Sequence, residues 1–238
     1  LFKIGIPSAV GFSGSSLGFI VLMGIVNRFG TYVISAYGIA MRIVHFFMMP
    51  AMGISSAVTA IVGQNLGAGN IQRAKRTVGK GIILILCIIV PAVILVSIFG
   101  KQLTQFFIPN APLIHSIGQT MFYIIPPSLI FFGITMVLQG AFQGAGNTVP
   151  IMVTNIFRIW LFRIPAVYLL AIALLGGPPN IGASVGIWWG MVISNAAALL
   201  MMYWWYQKGN WTKAKIKKTK TIDPLTKIVA HQIQVNDK

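Results

Sequence analysis

Six stretches of nearly continuous apolar residues make up most of the chain, near Ile4–Val26, Val33–Leu66, Val78–Phe99, Leu113–Gln139, Val149–Leu175 and Ile181–Tyr206. Short clusters rich in Gly, Pro, Asn, Lys and Arg separate them. A helix needs roughly 20 residues to cross a hydrocarbon core of about 30 Å, and each stretch is long enough. No strand-like alternation is present, and lipid offers a spanning backbone no partner except itself in a helix or a closed barrel. The pattern predicts an all-α polytopic membrane protein with six transmembrane helices over residues 1–207 and a basic cytoplasmic tail over 208–238. The second stretch exceeds one perpendicular crossing, so it is expected to tilt or run past the bilayer, with Pro50 as a kink.

Composition agrees with lipid as the main solvent. Residues are 56% hydrophobic and only 8% charged, against about a quarter charged in soluble domains, and mean hydropathy is +0.83. Of the charged side chains 18 are Lys or Arg and 2 are acidic, Asp223 and Asp237, both in the tail. The spans thus hold no carboxylate, although coupling an ion to transport usually relies on an intramembrane Asp or Glu.

A net charge of +16 raises nucleic acid as a partner. Topology accounts for it better, because acids are absent while bases collect on one side. Lys3, the Arg73, Lys75, Arg76 and Lys80 cluster, and the tail from Lys208 face Arg28 and Lys101 across the predicted bundle, which puts both termini in the cytoplasm. Trp188 and Trp189 at one end of the last stretch, and Tyr203, Trp204, Trp205 and Tyr206 at the other, fit two interfacial aromatic belts. The lysines from Lys208 to Lys220, with Trp211 among them, are expected on an anionic leaflet at about 1 kcal/mol each. The chain opens on Leu1, already at a span, and reads as a piece of something longer.

The lone Cys87 is expected in core packing. His45, His115 and His231 are dispersed and form no ligand cluster, so no metal or cofactor is expected. Neither a carboxylate, a Cys/His pair nor a phosphate loop occurs in the spans, so the expectation is a chain that is not an enzyme.

Two turns share a pattern. Gly63-Gln64-Asn65-Leu66-Gly67-Ala68-Gly69-Asn70 closes the second span ahead of Arg73-Ala74-Lys75-Arg76, and Gln143-Gly144-Ala145-Gly146-Asn147 closes the fourth ahead of Pro150. Gly67 and Gly69 can end a helix through positive φ, and Pro150 suits a helix start. The stretch Gly38–Arg76, with Arg42, Pro50, Gly53 and that glycine run, resembles the multidrug and toxic compound extrusion (MATE) family of efflux transporters. The turn from Gln139-Gly140 to Pro150 and the step Arg163-Ile164-Pro165 are similar to the same family's carboxyl-terminal half, over about residues 1–207.

The resemblance implies one lobe of a twelve-helix transporter whose lobes rock around a shared cavity, driven by inward sodium or proton flow. It implies secondary efflux of amphipathic organic compounds from a prokaryotic plasma membrane. The implied partners are lipid and an amino-terminal six-helix lobe on the same or a separate chain, or a second copy of this one. The sodium-coupled bacterial branch carries acids in its second lobe and this chain has none, so it looks more like the DNA-damage-inducible and archaeal branches. The coupling proton or sodium would then be bound by the other lobe. Rival readings are a flippase for anionic lipid-linked precursors from the same superfamily and a non-transporting scaffold.

Polar residues within the spans are the site candidates. Arg42 and His45 share a helix face. Arg42 reads either as a substrate-facing or gating charge or as a structural Arg on helix-end carbonyls, and His45 either as a proton carrier or as a hydrogen-bonded packing residue. Asn155 and Arg158 share a face of the fifth span, with Arg158 near enough to its end to snorkel. At the α-helical 100° per residue Arg163 points about 140° away from Arg158, which suggests a structural role on carbonyls freed by Pro165. Gln119, Tyr123, Asn155 and Asn195 are uncharged groups suited to line a cavity. Gly14 and Gly18, and Gly182, Gly186 and Gly190, mark close helix packing.

Overall fold

The computed structural model describes residues 2–107 and 112–212. Its helices are α1 (Phe2–Asn27), α2 (Thr31–Gly67), α3 (Ile71–Phe107), α4 (Pro112–Gly144), α5 (Val149–Ile156), α6 (Ile164–Val167) and α7 (Val185–Gln207), with π-helical turns at Phe157–Arg163 and Tyr168–Leu174 and a 3₁₀ turn at Ile181–Ser184. Six segments are long and apolar enough to span a membrane, so the chain is an all-α multi-pass membrane protein. α2 has 37 residues, roughly 55 Å at 1.5 Å per residue, and stays α-helical through Pro50.

The repeated glycine pattern produces the same stop twice. Gly69 has φ 79° and Gly146 φ 71°. The Asn70 amide donates to Asn65 O at 2.8 Å and Gly69 N to Leu66 O at 3.1 Å. Asn147 and Gly146 repeat this on Phe142 O and Gln143 O at 2.9 and 3.0 Å. Both are Schellman closures, in which the left-handed glycine lets the chain reverse and satisfy otherwise orphaned carbonyls. Gly144 remains inside its helix and serves packing instead, while Gly67, the last residue of α2, is exposed, touches no neighbouring helix and does not take the expected positive φ.

That packing joins α2 to α4. A Cβ on Gly140 would collide with the Ser55 carbonyl, and one on Gly144 with backbone at Thr59 and Gly63. The two backbones therefore touch along a small-residue seam. Ser55 Oγ donates to Met136 O at 2.7 Å and Thr59 Oγ1 to Gly140 O at 3.1 Å, stitching the seam with side-chain hydrogen bonds. Elsewhere Gly14 and Gly18 receive Ile156 and Ile159, while Gly186 and Gly190 receive the backbone around Ala171 and Val167. The fifth span is thereby clasped between the first and the last, and Trp160 Nε1 donates to Gly14 O at 2.8 Å.

Four expectations are corrected. Arg73, Lys75 and Arg76 form the opening turns of α3 rather than a loop, because that helix begins at Ile71. A helix can project past the apolar zone with its charges exposed. Trp188 is fully buried and stacks on Tyr37 with centroids 5.9 Å apart instead of joining an interfacial belt. Cys87 lies on the exposed, outward face of α3 and is not core. Trp211 does not lie free on a leaflet: it is buried, stacks on Tyr206 and donates to the Tyr206 carbonyl. The remaining tail lysines, Lys213 to Lys220, fall outside the described residues.

Candidate functional site

Two cavities sit one above the other in the groove walled by α1, α2, α4 and the fifth span. The nearer to the glycine turns, about 240 Å³, is lined by Ser55, Ser56, Thr59, Gln139, Gln143 and Asn155, with Phe12, Met52 and Met136. The next, about 140 Å³, is lined by Phe19, Met41, Met48, Phe132 and Met191, with His45, Ser128, Arg158, Arg163 and Asn195. Met52 and Met48, Met136 and Phe132, and Asn155 and Arg158 are each three or four residues apart, so the cavities lie one helical turn apart.

The first cavity is neutral and internally satisfied where its amides meet: Gln139 Nε2 donates to Asn155 Oδ1 at 3.1 Å. The second carries charge. Arg163 is buried, and its Nε donates to Ser194 Oγ at 2.9 Å and its Nη2 to Asn195 Oδ1 at 3.0 Å. Asn195 Nδ2 in turn donates to Ser128 Oγ at 3.3 Å, and Ser194 Oγ to Met191 O at 3.0 Å. A relay thus crosses from α4 through α7 to the fifth span. It occupies two of the five guanidinium N–H donors, all with neutral partners. Arg158 lies over the Phe132 ring, 5.0 Å from its centroid, in a cation–π contact. Its buried Nε has no hydrogen-bond partner among the described residues.

Local backbone explains why both arginines reach one cavity. From Phe157 to Arg163 the chain is π-helical, with hydrogen bonds from i to i+5, so residues five apart come round to the same face. The α-helical angle that separated Arg158 from Arg163 does not apply there. Pro165, which follows directly, has no N–H to donate back into that turn, a local reason for the ladder to widen. Arg163 consequently bonds Ser194 and Asn195, not carbonyls freed by the proline, and Arg158 turns inward instead of snorkelling.

The other candidates disperse. Asn155 and Arg158 enter different cavities. His45 lines the charged cavity, whereas Arg42, three residues away, is exposed and lines neither. Gln119 is half-buried and Tyr123 is 59% exposed on α4, both nearer its Pro112 end and outside both cavities. Ser128, Ser194 and the methionines were not singled out from sequence. The available signal was Gln139 and Gln143, which stand one turn apart on α4.

Residues 7–169 match the MatE family. Among curated relatives, the probable multidrug resistance protein YpnP of Bacillus subtilis is 28% identical over 187 residues, covering 79% of this chain and 41% of its own length. The probable multidrug resistance protein NorM of Thermotoga maritima is 27% identical over 213 residues, covering 90% of this chain and 44% of its own. The chain therefore spans less than half the length of these relatives. An outward-facing structure of a multidrug resistance MATE family transporter superposes with a TM-score of 0.77 at 20% identity, over 87% of this chain and 45% of that one. A transporter of the MOP superfamily from Pyrococcus furiosus, described as having a binding pocket of reverse polarity, gives a TM-score of 0.79 at 20% identity, over 91% of this chain and 47% of that one. With six apolar helices in one bundle and a family match running from the first span through most of the fifth, this chain belongs to the MatE family.

Proposed function

We propose that the chain supplies one lobe of a secondary active efflux transporter that exports amphipathic organic compounds in exchange for a proton or sodium ion. The observation that carries this reading is the charged cavity within the bundle. Met41, Met48 and Met191 offer polarizable, adaptable surface beside Phe19 and Phe132, suited to varied apolar bodies, and a few polar groups orient them. The multidrug names of relatives such as YpnP and NorM support the same reading.

No Asp or Glu precedes Asp223, so the coupling ion is held by an accompanying six-helix lobe, on the same or a separate chain, against which this one rocks. The Lys and Arg distribution supports cytoplasmic placement of both ends of this segment, and bacterial relatives such as YpnP and NorM support a prokaryotic plasma membrane. No cofactor or enzymatic step enters the proposal.

Full-length protein from its source membrane, reconstituted in proteoliposomes, should expel a fluorescent dye when a proton or sodium gradient is imposed. Residues 1–238 alone should not. Gradient-driven efflux by the isolated chain would refute the two-lobe account and point to a homodimer using His45. The arginine pair also favours a second reading, translocation of anionic lipid-linked precursors, which a lipid-scrambling assay on the same vesicles separates from dye export.

A further inference from the structure

We propose that Arg158 and Arg163 form a recognition site for the anionic headgroup of an amphiphile, a carboxylate, sulfonate or phosphate, whose apolar body lies on Phe19, Met41, Met48 and Phe132. The inference rests on the transport reading and names its substrate class.

Charges withdrawn from water are ordinarily paired, because an isolated buried ion costs several kcal/mol or more. Two guanidinium groups meet in one cavity of about 140 Å³, and the described residues include no Asp or Glu. Arg163 is held only by neutral acceptors, Ser194 and Asn195, which orient it without cancelling its charge. Among the described residues Arg158 has only the Phe132 face and keeps its buried Nε–H unsatisfied. Two planar forks on one face, one braced and one free, suit the several lone pairs of an oxyanion. His45 stands on the facing wall of the same cavity. A cationic amphiphile would meet like charge here and find no compensating acid. The apolar lining limits the ligand to one with a hydrocarbon or aromatic body.

The test uses the full-length transporter in phosphatidylcholine nanodiscs, with decyl sulfate and decyltrimethylammonium as matched probes of opposite charge, and empty discs subtracted for partitioning. Decyl sulfate should bind, and Arg158→Gln should weaken it by about tenfold or more, the usual size for a lost charged hydrogen bond. Arg158→Lys, which keeps the charge but not the planar fork, should weaken it less than Arg158→Gln does. Decyltrimethylammonium should bind weakly and respond little to either change. Adding phosphatidylglycerol to the discs distinguishes the sources: Arg158-dependent competition identifies a lipid headgroup, and its absence a soluble anion. Equal loss of both probes on Arg158→Gln, tighter binding of the cation, or anion binding indifferent to Arg158 would each overturn the proposal. The last, accompanied by a lower unfolding temperature for Arg158→Gln, would assign Arg158 to a carboxylate of the accompanying lobe. Gradient-driven dye efflux alongside Arg158-independent anion binding would sink the anion site and leave transport standing, whereas Arg158-dependent binding without any efflux would do the reverse.

Discussion

The two cavities share α1, α2, α4 and the fifth span as walls, the second adding α7 through Met191 and Asn195, and they differ in how their polar groups are balanced. In the first, Gln139 and Asn155 satisfy one another, and Ser55 and Thr59 spend their hydroxyls on the backbone of α4. In the second, Arg163 is tied on one edge and the buried Nε of Arg158 reaches no acceptor among the described residues. Neutral groups that can pair among themselves hold helices together. Charged groups left with unfilled donors are poised for something that arrives. One turn of helix therefore separates a cavity that mainly serves architecture from one that mainly serves binding.

The largest effect is expected where the neutral cavity meets the α2–α4 seam. Gly144→Val would push a side chain into backbone at Thr59 and Gly63, where no flexible side chain can yield, at about 3 kcal/mol or more. Size-exclusion chromatography in detergent should show little monodisperse protein, and a normal profile would mean that the seam is looser than described. Next, Asn195→Leu removes an acceptor from Arg163 and the donor to Ser128 while keeping the volume similar. Unfolding followed by tryptophan fluorescence should show a loss of about 1–3 kcal/mol, together with weaker decyl sulfate binding because Arg163 is no longer held.

A smaller change separates the cavities most cleanly. Gln139→Leu breaks the amide pair and should cost about 0.6 kcal/mol, typical of interhelical hydrogen bonds in membranes. Anion binding should be untouched; if it falls as far as in Asn195→Leu, the two cavities act as one. Least of all, Arg42→Ala should shift stability within about 0.5 kcal/mol and leave transport unchanged, because Arg42 is exposed and outside both cavities. A transport defect in the full-length protein would place Arg42 against the accompanying lobe.

Local rules made much of the fold legible. Apolar length located the spans, and Gly69 and Gly146 marked helix ends because so few other residues adopt positive φ. Gly14, Gly18, Gly186 and Gly190 signalled close packing, and a Cβ on each would meet the neighbouring span at less than ordinary contact distance, whereas Gly182, grouped with them in the sequence, is exposed and meets only Asn180 of its own turn. Orientation about a helix axis was less accessible. In lipid, apolar residues can face outward, so a hydrophobic run does not say which side is inner. Trp188 and Cys87 were exchanged in burial for this reason, and Arg42 was grouped with His45 although only His45 reaches a cavity. For Arg163 the obstacle was different. Its direction depends on a change of helical period that no residue type announces, although Pro165 hinted at irregularity.

The wide turn at Phe157–Arg163 also has a meaning in terms of chain length. A π-helical turn holds one residue more than an α-helical turn covering the same rise, which is how a helix absorbs an insertion without shifting its ends. Deleting a single apolar residue such as Leu161 would let the turn relax to α with its ends unshifted, and Arg163, then four residues from Arg158, would still share its face. The same deletion within α5, which stores no extra residue, would instead rotate both arginines by about 100° away from the groove, and a change touching no ionisable residue would alter the charge that the groove presents.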